Sequence, residues 1–125
     1  MEPLYTPKQR TSVVVAGGRD FIPNRNHMNW LISIIQSLNA DEIVSGGAKG
    51  ADHFGELICE KLNLKLIVFK AYWDKYGKRA GHLRNEQMAR YGTHVILFEG
   101  GRGTDNMRMN AHKYKLPLYE YKDSK

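Results

Sequence analysis

Three glycine pairs are the residues of this chain best suited to chemistry: Gly17-Gly18, Gly46-Gly47 and Gly100-Gly101, each standing between an apolar run and a helix-forming stretch. Glycine permits positive φ and removes the Cβ, so backbone N–H groups can close on an anion. A helix that begins just after such a turn adds its positive end to the same space. That combination suits phosphate. One pair alone would do no more than turn the chain, whereas three pairs on one edge favour a ligand site.

The neighbouring residues supply the rest of such a site. The N–H groups of Gly101, Arg102, Gly103 and Thr104, with the Thr104 hydroxyl, would hold a phosphate at the start of the last helix. Gly17, Gly18 and Arg19 belong to the first turn, while Gly46, Gly47 and Gly50 would allow close approach from the second. Arg84 would offer a guanidinium for bidentate phosphate contact, with Lys49 and Arg79 as further counter-charges. Asn85 would bind the ligand or fix the loop, and Asp52 would contact the ligand or stabilise the first turn of its helix. Tyr72 and Trp73 would stack on a base or pack their own loop against the sheet. Asp20 and Glu99 are carboxylates near the expected mouth, suited to ribose hydroxyls or, as weaker candidates, to a catalytic role.

Other chemistries find no support. Neither a GxxxxGK[ST] loop nor a GxGxxG after the first apolar run is present, which argues against a P-loop NTPase and a nicotinamide-linked dehydrogenase. His27, His53, His82, His94 and His112 occur singly and Cys59 stands alone, so no metal site is expected. No serine lies in a G-x-S-x-G elbow.

The elements that must position these residues follow an alternating order. Val13-Val14-Val15 sits in a first strand of the kind buried on both faces of a parallel sheet. Asn24 is a plausible cap for a first helix whose inner face carries Met28, Leu31, Ile32, Ile35 and Leu38. A strand is expected at residues 42–45, and then a helix over 48–62 with Phe54, Leu57, Ile58 and Leu62 inward and Asn63 as its stop. A strand over 65–69 leads into residues 71–82, which lack clean periodicity and read as a long loop. A helix over 83–91, a strand over 95–98, a helix over 104–114 and a strand over 118–121 complete the chain. This pattern predicts an α/β fold: a three-layer Rossmann-like open parallel sheet of about five strands, ordered 3-2-1-4-5, with helices on both faces. Ligands of such sheets lie beyond the carboxyl ends of the strands, at the switch between strands 1 and 4.

The 125 residues are enough for one domain, with residues 1–11 expected to form a flexible leading segment. A formal charge of +6 points to anionic partners. The single cysteine, the polar first ten residues and the want of a long apolar run place the chain in the cytoplasm, away from membranes.

Four blocks together resemble one family. Gly17-Gly18-Arg19-Asp20-Phe21, Ser45-Gly46-Gly47-Ala48-Lys49-Gly50-Ala51-Asp52, Arg79-Ala80-Gly81 leading to Arg84-Asn85-Glu86-Gln87-Met88, and Gly100-Gly101-Arg102-Gly103-Thr104 look like the YspA-related branch of the SLOG superfamily. The resemblance implies a Rossmann-like pocket for nucleotides or their derivatives, shared with the Lonely Guy phosphoribohydrolases and the DNA-processing protein A family, and a homodimer by analogy with them. It also exposes a departure. The phosphoribohydrolases resemble GGxGTxxE, and where their glutamate would stand this chain has Met107, which cannot act as acid or base.

The leading expectation is therefore a sensor or binding module for a nucleotide-like small molecule, with no required cofactor. An enzyme of the phosphoribohydrolase type, with Asp20 or Glu99 replacing the missing carboxylate, is the alternative. Single-stranded nucleic acid is a further one, prompted by Lys70, Lys75, Lys78, Arg79, Arg84 and Arg90 interleaved with Tyr72, Trp73, Tyr76 and Tyr91.

Overall fold

The computed structural model describes residues 10–122. Five strands, β1 (Ser12–Ala16), β2 (Glu42–Ser45), β3 (Lys65–Val68), β4 (His94–Leu97) and β5 (Leu118–Glu120), form one parallel sheet in the order β3-β2-β1-β4-β5. The expected order and Rossmann-like α/β architecture are thus observed. The register sets Val14 beside Val44 on one side and Val95 on the other.

Alternation along the central strands divides the core in two. Val13 and Val15 turn to the layer of α1 (Arg25–Ser37) and α2 (Ala51–Lys61), where Leu31, Ile35, Phe54 and Ile58 pack with Ile96 and Phe98. Val14 and Ala16 turn to the layer of α4 (Ala80–Tyr91) and α5 (Arg102–Lys113), against Met88, Ala89, Met107 and Ala111. Strands covered on both faces need apolar residues at every position, which is why β1 shows no polar alternation.

Two expectations are corrected here. Residues 71–82 are not a long loop: they contain the short helix α3 (Trp73–Tyr76), a 3₁₀ turn (Gly77–Arg79) and the first turn of α4. All of residues 72–79 are exposed, so no apolar face marked them as helical. Leu57 does not face inward but stands 48% exposed. The sheet-facing side of α2 runs through Ala51, Phe54, Gly55 and Ile58, and a Cβ on Gly55 would lie 2.9 Å from that of Val15. The helix is rotated to bring its small residues against the sheet.

Asn63 ends α2 in the left-handed region at φ 56°, as its type suggests. Of the expected flexible segment, residues 1–9 lie outside the described residues, while Arg10 is held by Glu42 and Tyr91. No described helix is long and apolar enough to cross a membrane.

Candidate functional site

The loops after β1, β2 and β4 meet beyond the carboxyl ends of their strands, where α2 and α5 begin. They hold one another. Gly18 N–H donates to the Glu99 carbonyl at 2.8 Å, and the Gly18 carbonyl accepts from Ala51 N–H at 3.2 Å. Gly50, at φ +72°, leaves no room for a side chain, because a Cβ would fall 2.2 Å from the Gly18 carbonyl oxygen. At Gly100 a Cβ would fall 2.1 Å from Thr104 Oγ1. Part of the glycine signal therefore reflects loop packing on loop.

Above these loops lies an open groove of ≈ 1720 Å³. Its floor and walls take in Gly17, Gly18, Arg19, Asp20, Gly46 and Gly47 on one side, and Glu99, Gly100, Gly101, Arg102, Gly103 and Thr104 on the other. Asp52, Trp73, Arg84 and Asn85 also reach it. Lys49 and Gly50 line a separate, smaller hollow beside α2. Arg79 and Tyr72 are exposed and stand off the groove, so of the two aromatics expected to stack on a base only Trp73 lines it.

Two residues that line the groove each carry a buried polar atom with no hydrogen-bond partner among the described residues, Thr104 Oγ1 and Arg84 Nε. Thr104 lies in the first turn of α5, whose N-cap Gly101 supplies no side-chain hydrogen bond. The leading N–H groups of that helix are thus left without a side-chain cap from Gly101. Arg84 is anchored at Nη1, which donates to the Gly46 carbonyl at 3.2 Å. Burial lowers its pKa, the nearby Asp52 charge opposes that, and Arg19 adds to it.

Asp52 and Asn85 are held by the loops themselves. Asp52 is buried and its Oδ2 accepts the Ala48 N–H at 3.2 Å, tying down the turn after β2. Burial pushes its carboxyl above the ordinary value, against the pull of Ala48 N–H and Arg84. Asn85 donates to the Gly103 carbonyl at 3.2 Å and to Asn106 Oδ1 at 3.0 Å, so it fixes the loop at the start of α5. Asp20 and Glu99 line the groove as exposed carboxylates. Among the described residues no cluster of three or more His, Cys, Asp or Glu could hold a metal ion.

No family model matches the chain. It is 36% identical over 89 residues to the Gene 61 protein of Mycobacterium phage D29, an alignment spanning 65% of this chain and 71% of the phage protein. The chain belongs to the family of that phage protein.

In this member of the Gene 61 family the groove also has a wall that single-residue reading missed. Phe21, Ile22, His27 and Tyr121 line its β5 side, and Lys70, Lys78 and His82 its β3 side. His27 reads in sequence as one isolated histidine. In the fold it is the third residue of α1, where its N–H donates to Asn24 Oδ1 and its Nδ1 accepts the Asn24 N–H, both at 2.9 Å. The spacing Asn24-x-x-His27 was the available signal, since a capping box needs an acceptor at that position.

Proposed function

We propose that this chain binds a nucleotide or nucleotide-derived ligand as a sensor or binding module, its phosphate seated at the start of α5. The observation that carries this reading is the pair of buried, unpartnered atoms, Thr104 Oγ1 and Arg84 Nε, on a groove shared with an uncapped helix N-terminus. Leaving a buried polar atom unsatisfied costs about 1–3 kcal/mol, and a phosphate oxygen is the partner that suits a hydroxyl, a guanidinium and helix N–H groups together. The resemblance of the four glycine- and arginine-bearing blocks to the YspA-related SLOG branch supports the same reading.

Met107 favours binding over hydrolysis. It is buried among Val14, Leu97 and Ala111 on the sheet-facing side of α5, so the position that bears glutamate in the phosphoribohydrolases is here a core residue.

Gly103 provides the test, because a Cβ there meets nothing within 4 Å. Gly103→Asp should leave the fold intact, with a carboxylate in the first turn adding about 0.3–1 kcal/mol of stability through the helix dipole. The same charge should remove affinity for nucleoside mono- and triphosphates in titration calorimetry. Unchanged affinity would mean that the ligand lies elsewhere. Turnover of the bound nucleotide, lost in Glu99→Gln or Asp20→Asn, would replace the binding module with an enzyme.

A further inference from the structure

We propose that the groove receives the planar, heterocyclic arm of its ligand on the β5 side, in a subsite formed by Phe21, Ile22, His27 and Tyr121, away from Trp73. The inference rests on the nucleotide reading above and places the part of the ligand which that reading leaves unassigned.

His27 supplies the polar contact. Its Nδ1 accepts the Asn24 N–H, so the proton of the neutral ring sits on Nε2. That N–H has no partner among the described residues, although His27 is only 8% exposed and its ring lines the groove. The imidazole is fixed edge-on against Phe21, at 4.8 Å between centroids, and against Tyr121, at 4.5 Å. Phe21 in turn stacks on Phe98 at 4.8 Å and 29°. Because His27 lines the groove, its donor can be met from there, and a ring nitrogen or carbonyl of a nucleobase is an acceptor of the right kind.

Ile22 supplies the apolar cover. It stands 83% exposed beside Phe21, lines the groove and packs in neither core cluster. On this side Arg108 is matched by Glu120, with contacts of 2.6 and 3.1 Å, and by Asp105 at 2.7 Å, while Arg19 and Asp20, of opposite charge, precede Phe21. The opposite wing, with Lys70, Lys78 and His82 around Trp73, suits the anionic extension of the ligand instead.

Calorimetry of the full chain with the four common nucleoside monophosphates and with ribose 5-phosphate tests the assignment, using Ile22→Ser, His27→Gln and Trp73→Ala. Glutamine at the third helical position is a standard capping-box partner, so His27→Gln keeps the cap while removing the imidazole. Thermal melts of all three variants verify folding. The wild type should bind its preferred nucleotide more tightly than ribose 5-phosphate. Ile22→Ser and His27→Gln should each reduce that preference about tenfold, the worth of one hydrogen bond or a buried apolar contact, with ribose 5-phosphate unaffected. Trp73→Ala should leave the preference unchanged. Loss of the preference in Trp73→Ala alone would overturn the proposal by moving the heterocycle to the α3 side. Equal wild-type affinity for both probes would overturn it while leaving the phosphate seat standing, and binding of neither probe would remove both readings.

Discussion

The two ends of the parallel sheet treat buried polar groups in opposite ways. At the amino end, Glu42 on β2 is 3% exposed and accepts from Ser12 Oγ at 2.6 Å, from Arg10 Nε at 2.9 Å and from the Tyr91 hydroxyl. The Arg10 guanidinium lies 4.0 Å over the Tyr91 ring, and Thr93 Oγ1 accepts from Ser12 N–H at 2.9 Å. At the carboxyl end, Thr104 is as deeply buried, at 3%, yet among the described residues its hydroxyl has no partner, and neither has Arg84 Nε. Burial therefore does not separate the two ends. Completeness does: a polar network finished by the protein holds the fold, and one left open is what the proposed ligand would complete.

The largest test breaks the finished end. Glu42→Ala strands Ser12 and Tyr91 and frees the part-exposed Arg10, and leaving buried hydrogen-bond partners unsatisfied costs about 1–3 kcal/mol. Urea denaturation should show that loss, while nucleotide affinity of the folded variant stays at the wild-type value. A variant that also lost affinity would show the two ends to be coupled.

Acid titration sharpens the same point. Burial alone would raise the Glu42 pKa, but the hydrogen bonds from Ser12, Tyr91 and Arg10 outweigh it and hold the carboxyl below its ordinary value. The stabilisation is thus complete above the ordinary glutamate range and is lost as pH falls through the depressed pKa. Burial also lowers the pKa of His94 at the same end, so the unfolded chain takes up that proton first and a separate loss begins at the ordinary histidine range. Equilibrium unfolding against pH should show both limbs in the wild type and a smaller acid limb in Glu42→Gln, the remainder coming from Glu86 and Glu120, which are also held below their ordinary values.

At the open end Arg84→Ala should cost ligand affinity above all, with some stability lost as the Gly46 carbonyl is freed. Truncating a buried charged contact is worth a few kcal/mol, so affinity for a nucleoside monophosphate should fall about 100-fold in calorimetry. Arg84→Lys should recover only part of that, because an ammonium cannot hold the Gly46 carbonyl with one nitrogen and face the groove with another. Full recovery by lysine would reduce the role of Arg84 to its charge.

How far each end can be read from sequence follows from the same physics. Val13-Val14-Val15 and the glycine pairs announce β1 and the strand ends directly, because apolar continuity and glycine turns are local signals. Leu57 misleads because periodicity cannot tell which of two apolar stripes faces the sheet, and Gly55 decides it by letting α2 close on Val15. Residues 72–79 escape because an exposed helical turn has no apolar face to detect. In the site, Thr104, Arg84 and Gly103 are legible through their motifs. The aromatic wall of the groove is not, since Tyr121 lies far in sequence from Phe21 and His27 and is brought to them by β5 docking beside β4. The Glu42 network is hidden for the same reason: Arg10, Glu42 and Tyr91 meet only once the sheet has formed.

The smallest effect is the most discriminating, because its sign differs between the ends. Thr104→Val removes a hydroxyl that has no partner and keeps the β-branched shape, so helix propensity nearly cancels. Replacing an unsatisfied buried hydroxyl with a methyl should raise the unfolding free energy by up to about 1 kcal/mol, even as phosphate affinity drops about tenfold with the lost hydrogen bond. Ser12→Ala at the other end also removes one hydroxyl, but that hydroxyl donates to Glu42 at 2.6 Å, so the free energy should fall by about 1–2 kcal/mol with no change in affinity. Urea denaturation of the two variants without ligand compares them directly. If Thr104→Val destabilised as Ser12→Ala does, the Thr104 hydroxyl would have a partner within the fold, and the carboxyl end would be as finished as the amino end.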